Sequence, residues 1–249
     1  MRGLDVFREW FRNFTDRFVL IGGAACHVAM SEAGVDFRAT KDLDIVLLAD
    51  SIQGDFARAL WDFIADGGYA LQQEASGKMH FYRFKEPQRE EYPFMLELFS
   101  RAPEGLPESA GLTRISMEGE VSSLSAILLD EDYYRLIHDS RIEAGGLPCA
   151  PPHCLIPLKA RAWLDLSERK AGGEQVDSKS IRKHKNDVFR LYRILDPDTV
   201  MPLPKSVLAD LEEFLTRMET EGIDLKAMGS PGRKLPEVLE DMRRVFTIS

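Results

Sequence analysis

The spacing of apolar side chains changes repeatedly along the N-terminal part of the chain. Apolar residues three or four positions apart predict amphipathic helices at 4–17 and 55–65. A third helix is predicted at 24–33, where Gly34 would end it. Continuous or alternating apolar runs predict five strands, at 18–21, 43–48, 69–73, 79–84 and 94–99. This order of elements predicts a mixed α/β sheet with flanking helices.

Glycines and prolines interrupt the pattern between 145 and 152. Before the interruption, 122–129 is predicted as a strand and 130–140 as a helix whose N-cap is Asp130. After it, apolar residues at helical spacing predict helices alone, at 157–170, 178–195, 205–221 and 235–246. We therefore predict an α/β domain at 1–150 and a C-terminal helical domain at 151–249.

Composition narrows the class of protein. The 249 residues are 44% apolar and 29% charged, which excludes disordered and collagen-like chains. No apolar run approaches the roughly 18 residues of a membrane-spanning helix, and the charged N-terminus lacks the apolar segment of a signal peptide. Three scattered cysteines do not form a disulfide framework. We therefore expect a cytoplasmic protein with no membrane partner.

Charge is distributed unevenly along the chain. The net charge is −9, which argues against a surface that coats nucleic acid indiscriminately. The segment 159–195 nevertheless contains ten Lys or Arg and only five acids, so it carries +5. A polyanionic ligand would therefore bind on this segment.

The sharpest local feature is Asp42-Leu43-Asp44 at the start of the second predicted strand. Side chains two residues apart on a strand share a face, so Asp42 and Asp44 project together, about 7 Å apart along the backbone. Such a carboxylate pair suits Mg²⁺, or Mn²⁺, which completes its coordination with water and substrate phosphate. The alternative interpretation is a solvated strand end.

Two further features favour a functional role for Asp42 and Asp44. Gly22-Gly23 follows a predicted strand and precedes a predicted helix, so a phosphate could approach backbone N–H groups there without meeting a Cβ. An ordinary strand-to-helix turn is the alternative. Glu97 lies inside an otherwise apolar strand, where a charge is costly unless it is paired or binds a metal. Three acids behind such a turn are typical of metal-assisted phosphoryl transfer.

In order along the chain, Gly22-Gly23, Arg38-x-Thr40-x-Asp42-Leu43-Asp44 and Glu97 resemble the motifs of the nucleotidyltransferase superfamily, which has the fold of DNA polymerase beta. More narrowly, the sequence is similar to the AbiEii/AbiGii toxin family, which includes the MenT toxins. That similarity extends to the segments at 159–162 (KARA) and 183–188 (KHKNDV). Gly-Gly stands where the superfamily usually has Gly-Ser.

The resemblance implies a role for each matching residue. Asp42 and Asp44 would be catalytic metal ligands, and Glu97 would be either a third ligand or the base for the attacking hydroxyl. Nucleotide contacts are implied for Gly22, Gly23, Arg38, Thr40 and Lys183. Lys159 would contact the nucleotide phosphates, and Asp187 would orient the site.

The residues alone leave several of these roles open. Composition predicts that Lys159 is a solvated lysine. Lys183 and Asp187, four apart on a predicted helix, could form a simple ion pair. Arg38 could pair with Asp36 or face water.

The activity that the resemblance implies is transfer of a nucleoside monophosphate from an NTP to an acceptor hydroxyl, with release of pyrophosphate. RNA, including tRNA, is a candidate acceptor, and a toxin of this family would have a cognate antitoxin as its partner. Two other classes stay open. A small-molecule nucleotidyltransferase of the antibiotic-modifying kind should expose an acidic acceptor pocket, whereas an RNA modifier should show 159–195 as a continuous basic face. The third class is a non-catalytic nucleotide-binding module.

Overall fold

The computed structural model describes residues 1–48, 54–76, 79–100, 127–128 and 130–248. The chain divides into two compact units, Met1–Met117 with Ser140–Pro151 and Glu118–Asp139 with Pro152–Ser249. The predicted helix at 130–140 therefore groups with the second unit rather than with the α/β part. The assignment of 1–150 and 151–249 as separate domains stays a prediction.

The first unit contains a seven-stranded mixed sheet within the described residues, in the order β3-β4-β5-β2-β1-β7-β6. β2 pairs parallel with β5 and antiparallel with β1, while β3, β4 and β5 form the antiparallel succession that the sequence predicted. The mixed α/β class is confirmed. The strands are β1 (Phe18–Ile21), β2 (Asp42–Leu47), β3 (Ala70–Ser76), β4 (Met79–Lys85), β5 (Met95–Ser100), β6 (Ile142–Ala144) and β7 (Leu147–Cys149), and the helices are α1 (Leu4–Phe11), α2 (Gly22–Glu32) and α3 (Asp55–Gly67).

In this unit one predicted boundary was wrong and one element was missed. α1 ends at Phe11 rather than at residue 17. The β6–β7 hairpin was not predicted, because its strands have only three residues each and one of them contains Pro148. Its turn is Gly145-Gly146, with both φ angles positive at 55° and 71°, which suits the turn of a tight hairpin.

An aromatic cluster covers one face of the sheet. Phe18 on β1 packs against Phe7 of α1, with ring centroids 5.4 Å apart, and against Phe56 of α3 at 6.4 Å. Phe18 pairs with Leu47 in the register of β1 and β2, so Leu47 belongs to the same face. Asp44 lies three residues before Leu47 and therefore projects to the opposite face. The packing of α1 and α3 thus determines which face presents the acids.

The second unit is helical in its described residues: α4 (Glu131–Ser140), α5 (Pro152–Ala171), α6 (Ser178–Tyr192), α7 (Lys205–Met218) and α8 (Leu235–Val245). The predicted cap of α4 is confirmed, because the Asp130 carboxylate accepts hydrogen bonds from the backbone N–H groups of Asp132 and Tyr133, at 2.8 and 3.2 Å. Of the strand predicted at 122–129, Ile127 and Leu128 are helical and the rest lies outside the described residues.

The packing of the second unit centres on α5. This helix contacts both α6 and α7, and the ring of Trp163 lies 5.4 Å from that of Phe214 on α7. α5 begins five residues earlier than predicted, because Pro152 takes the first helical position and Pro157 lies inside the helix. Among the described helices, none has the length and apolar character that crossing a membrane requires.

Candidate active site

Asp44 lies against the first residues of α2, which begins at Gly22, two residues earlier than predicted and directly after β1. Its Oδ2 accepts a hydrogen bond from the Gly23 N–H at 3.3 Å, and the residue is 9% exposed. Gly22 has a φ of +62°, and a Cβ built on it would lie 1.8 Å from the same Oδ2. The carboxylate therefore occupies the space that a side chain at position 22 would need. Gly22 is required both for the left-handed turn and for this close approach.

Thr40 and Arg38 approach the next glycine. A Cβ on Gly23 would lie 2.5 Å from Thr40 Oγ1 and 3.8 Å from Arg38 Nη2. The structure thus brings Gly22, Gly23, Arg38, Thr40 and Asp44 together at the first turn of α2. Their roles in nucleotide binding stay predictions.

Glu97 lies beside Asp44 on the neighbouring strand. β2 and β5 pair in parallel, with Asp44 opposite Glu97 and Asp42 opposite Met95. Burial raises the pKa of Glu97 well above its usual range, and the hydrogen-bonded carboxylate of Asp44 raises it further. The charge of Asp42 acts in the same direction. All three acids therefore influence one region on one face of the sheet.

Arg83 belongs to this region and was not predicted from the sequence. It lies opposite Glu97 in the antiparallel pairing of β4 and β5, and its Nε donates to Glu97 Oε1 at 2.8 Å. Asp44, Glu97 and Arg83 thus form one row across three strands. The sequence did hold a signal, because Arg83 stands between the buried aromatics Tyr82 and Phe84 in a predicted strand.

The donor chemistry of the acids fits a hard divalent cation, because all their ligand atoms are carboxylate oxygens. Within the described residues, however, no three His, Cys, Asp or Glu side chains converge into a ready-made metal site. Glu97 instead contacts the guanidinium of Arg83. The guanidinium of Arg83 is thus a cation that the protein itself supplies beside Glu97.

Lys159 and Asp187 meet within the second unit. The packing of α5 on α6 places Lys159 Nζ 3.5 Å from Asp187 Oδ2, and Arg190 Nη1 lies 3.2 Å from Asp187 Oδ1. Asp187 is fully buried and Lys159 is 5% exposed, so the solvated lysine expected from composition was wrong. Lys183 is half-buried on the same helix as Asp187. The catalytic and nucleotide-binding roles of these three residues stay predictions.

Part of the positive charge of segment 159–195 is compensated by carboxylates of the second unit. At least five of its ten cations contact a carboxylate: Lys159 and Arg190 with Asp187, Arg161 with Asp210, Arg169 with Glu174, and Lys185 with Glu221. These cations are held by neighbouring acids. Asp187 and Glu174 are already counted in the +5 of the segment, so only Asp210 and Glu221 lower its charge further, to +3.

Substitution of Gly22 tests the close approach of Asp44. Gly22→Ala should lower the free energy of unfolding by about 3 kcal/mol, because it adds a left-handed penalty and a clash with a buried carboxylate. Gly34→Ala is the matched control, because Gly34 also has a positive φ, +68°, but no atom lies within 4 Å of the added Cβ. Gly34→Ala should lower the free energy of unfolding by only about 1 kcal/mol. Equal losses in urea denaturation would show that Asp44 does not occupy the space beside Gly22.

The raised pKa of Glu97 predicts a pH dependence of stability. In the folded protein Glu97 holds its proton more tightly than in the unfolded chain, so its contribution is fully present below the unfolded value of 4.5 and is lost as pH rises through the folded pKa. Glu97→Gln lacks this titration. With a chelator present, its free energy of unfolding should therefore rise relative to wild type between pH 4 and pH 8. A constant difference across that range would contradict the prediction.

Comparisons with known proteins add little to this picture. No protein-family model matches the sequence, and no curated protein matches it either. Among solved structures, the chain is similar to an antigenic nucleotidyltransferase-like protein from Paracoccidioides brasiliensis, at 13% identity and a TM-score of 0.44, over 90% of this chain and 89% of that chain. A likeness this distant assigns no function to this chain.

Proposed function

We propose that this protein is a metal-dependent nucleotidyltransferase that transfers a nucleoside monophosphate from an NTP to an acceptor hydroxyl and releases pyrophosphate. One observation carries the proposal: Asp44 and Glu97 lie side by side on parallel strands, and Asp44 also lies against Gly22 and Gly23 at the start of α2. Asp42 lies two residues before Asp44 on the same face. Paired carboxylates beside a backbone turn that can accept phosphate are what nucleotidyl transfer requires.

Asp42 and Asp44 would hold Mg²⁺ or Mn²⁺. When bound, such an ion neutralises negative charge on the triphosphate as the α-phosphorus is attacked. Glu97 would either complete the ligand set or accept the proton of the attacking hydroxyl. The raised pKa of its carboxyl is compatible with the second role, because a carboxylate with a raised pKa is a stronger base toward the hydroxyl proton.

The glycine turn would bind the phosphates. The Gly23 N–H already donates to Asp44 Oδ2, so the phosphates would be received by the other backbone N–H groups at the start of α2. Thr40 and Arg38 flank the turn and would add a hydroxyl and a positive charge. This arrangement would orient the triphosphate and leave its α-phosphorus open to the acceptor.

Lys159, Lys183 and Asp187 enter the proposal through the family resemblance. Lys159 would place positive charge on the nucleotide phosphates, where it gains importance as charge builds on the leaving pyrophosphate. Lys183 would add a further nucleotide contact. Asp187 would hold Lys159 in position, which agrees with their ion pair in the second unit.

The resemblance also supports an RNA acceptor such as tRNA, and a toxin neutralised by a cognate antitoxin. A second candidate is a small-molecule acceptor. The observation that favours it is that at least five of the ten cations of segment 159–195 already pair with carboxylates. Fewer of them are then available to contact an RNA backbone.

The test is incubation of the protein with each α-labelled NTP in turn, with Mg²⁺ or Mn²⁺, and with total RNA or a panel of hydroxylated small molecules. The proposal expects pyrophosphate release and label on one acceptor class, which also decides between the two candidates. Nucleotide affinity that is equal with and without Mg²⁺, together with no labelled acceptor, would instead indicate a non-catalytic binding module.

A further inference from the structure

A cavity of about 440 Å³ lies within the helical second unit. It is lined by the end of α6 and the residues that follow it, by the loop at 229–233 and by α8. Its volume falls in the range of roughly 300 to 1,000 Å³ that is usual for small-molecule sites. None of its lining residues takes part in the activity proposed above. Apolar lining comes from Leu195, Pro197, Pro231 and Val245.

Arg193 places a positive charge at the wall of this cavity. Among the ion pairs and hydrogen bonds of the described residues, none involves its guanidinium. The guanidinium lies instead against Gly229, where an added Cβ would be 2.4 Å from Nη1 and 2.5 Å from Cζ of Arg193. Gly229 therefore leaves open the space that the guanidinium occupies. The charge is held at the cavity by backbone packing rather than by an acid.

The second arginine of the cavity, Arg233, is compensated. The Tyr192 hydroxyl donates to Asp241 Oδ2 at 2.6 Å, Arg233 Nη2 donates to the same oxygen, and the Arg233 guanidinium lies over the Tyr192 ring, 5.9 Å from its centroid. Although burial acts against it, these hydrogen bonds lower the pKa of Asp241, which is therefore charged. Arg233 thus has a carboxylate partner, whereas Arg193 remains available to an anion from solution.

Ser230 adds a hydroxyl to the cavity lining and is 8% exposed. Its backbone is fixed, because its N–H donates to the Leu225 carbonyl at 2.8 Å and its carbonyl accepts from the Arg233 N–H at 3.4 Å. A phosphate group has three peripheral oxygens, so it can accept from a guanidinium fork and from a hydroxyl at the same time. A carboxylate has only two oxygens, and the fork occupies both of them.

We propose that this cavity is a binding site for a phosphate monoester with an apolar or aromatic remainder. Arg193 and Ser230 bind the phosphate, and the apolar lining contacts the remainder. The inference goes beyond the proposed function and does not depend on it, because the two sites share no residue.

Calorimetric titration with phenyl phosphate at pH 8 tests the site, with a chelator present so that no metal ion bridges the probe to the acids of the first unit. Wild type should bind saturably. Arg193→Gln should bind at least about tenfold more weakly, because a charge-assisted hydrogen bond is lost. Arg182→Gln, an exposed arginine on the same helix α6, should bind like wild type. Equal affinity of wild type and Arg193→Gln, or no saturable binding by wild type, would overturn the proposal.

Two glycines of one loop test whether the position of the guanidinium matters, without any change of charge. Gly229→Ala should weaken phenyl phosphate binding by a factor similar to that of Arg193→Gln, because the added Cβ displaces the guanidinium. Gly232→Ala is the matched control, because its φ of +82° is close to the +85° of Gly229 but no atom lies within 4 Å of the added Cβ. It should bind like wild type. Equal binding by the two alanine variants would show that Arg193 is not held in place for the ligand.

The choice of probe tests the chemical class of the ligand on the wild-type protein. Inorganic phosphate should bind more weakly than phenyl phosphate, because it leaves the apolar lining uncovered. Benzoate should also bind more weakly, because its carboxylate cannot reach the guanidinium and the Ser230 hydroxyl together. Benzoate binding as tight as that of phenyl phosphate would overturn the assignment of a phosphate. Equal affinities for inorganic and phenyl phosphate would overturn the assignment of an apolar remainder.

Discussion

Asp44→Asn should reduce nucleotidyl transfer by more than about a hundredfold without lowering stability. The amide removes the charge that would bind the metal ion, yet its oxygen can still accept the hydrogen bond from Gly23 N–H. The substitution also removes a negative charge that acts on Glu97, so the free energy of unfolding should be equal to that of wild type or higher. Transfer of label from NTP and urea denaturation measure the two effects.

A matched control is Asp62→Asn, because Asp62 is an exposed aspartate on α3. It should leave both transfer and stability near wild type. Full transfer by Asp44→Asn with Mg²⁺ would rule out Asp44 as a metal ligand. Loss of transfer accompanied by unfolding would mean that Asp44 has a structural role at the turn.

Lys159→Met should lower the free energy of unfolding by about 3 kcal/mol. The substitution removes one cation from the fully buried carboxylate of Asp187, which keeps its contact with Arg190, 3.2 Å away. A buried charge that loses one of its partners costs far more than a missing surface charge. Denaturation in urea measures the loss, with Lys170→Met as control, because Lys170 is exposed near the end of the same helix.

The double variant Lys159→Met, Asp187→Leu should recover most of that stability. Apolar side chains of similar volume often replace a buried ion pair without loss, and Arg190 is exposed enough to turn toward solvent. No recovery would show that the loss in Lys159→Met comes from packing. If Lys159 contacts phosphate, both variants should also transfer about a hundredfold more slowly at a temperature where they are folded.

The features of the site that depend on spacing could be predicted from the sequence. Asp42 and Asp44 share a face because strand side chains alternate, whatever the neighbouring strand. Gly22-Gly23 is identifiable because apolar strand residues precede it and a helical pattern follows. Glu97 is conspicuous because a charge inside an apolar strand needs a partner.

The partners themselves could not be predicted, because they depend on which strands and helices meet. Arg83 reaches Glu97 through the register of β4 and β5, and Lys159 reaches Asp187 through the packing of two helices. Local composition predicted that Lys159 is exposed to solvent. The structure instead buries it beside Asp187. The short strand β7 contains Pro148, so its pattern gave no sign that it would join the sheet.

The pairing of β7 with β1 has a consequence for the order in which this protein can fold. Leu20 pairs with Cys149, and the Ala150 N–H donates to the Leu20 carbonyl at 2.9 Å, across about 130 residues of chain. During synthesis, β1 can pair with β2 early, but its other edge stays open until residue 150 leaves the ribosome. An open strand edge is a template for wrong pairing. The nascent chain therefore carries an aggregation hazard at β1, directly before the glycine pair, until the β6–β7 hairpin covers that edge.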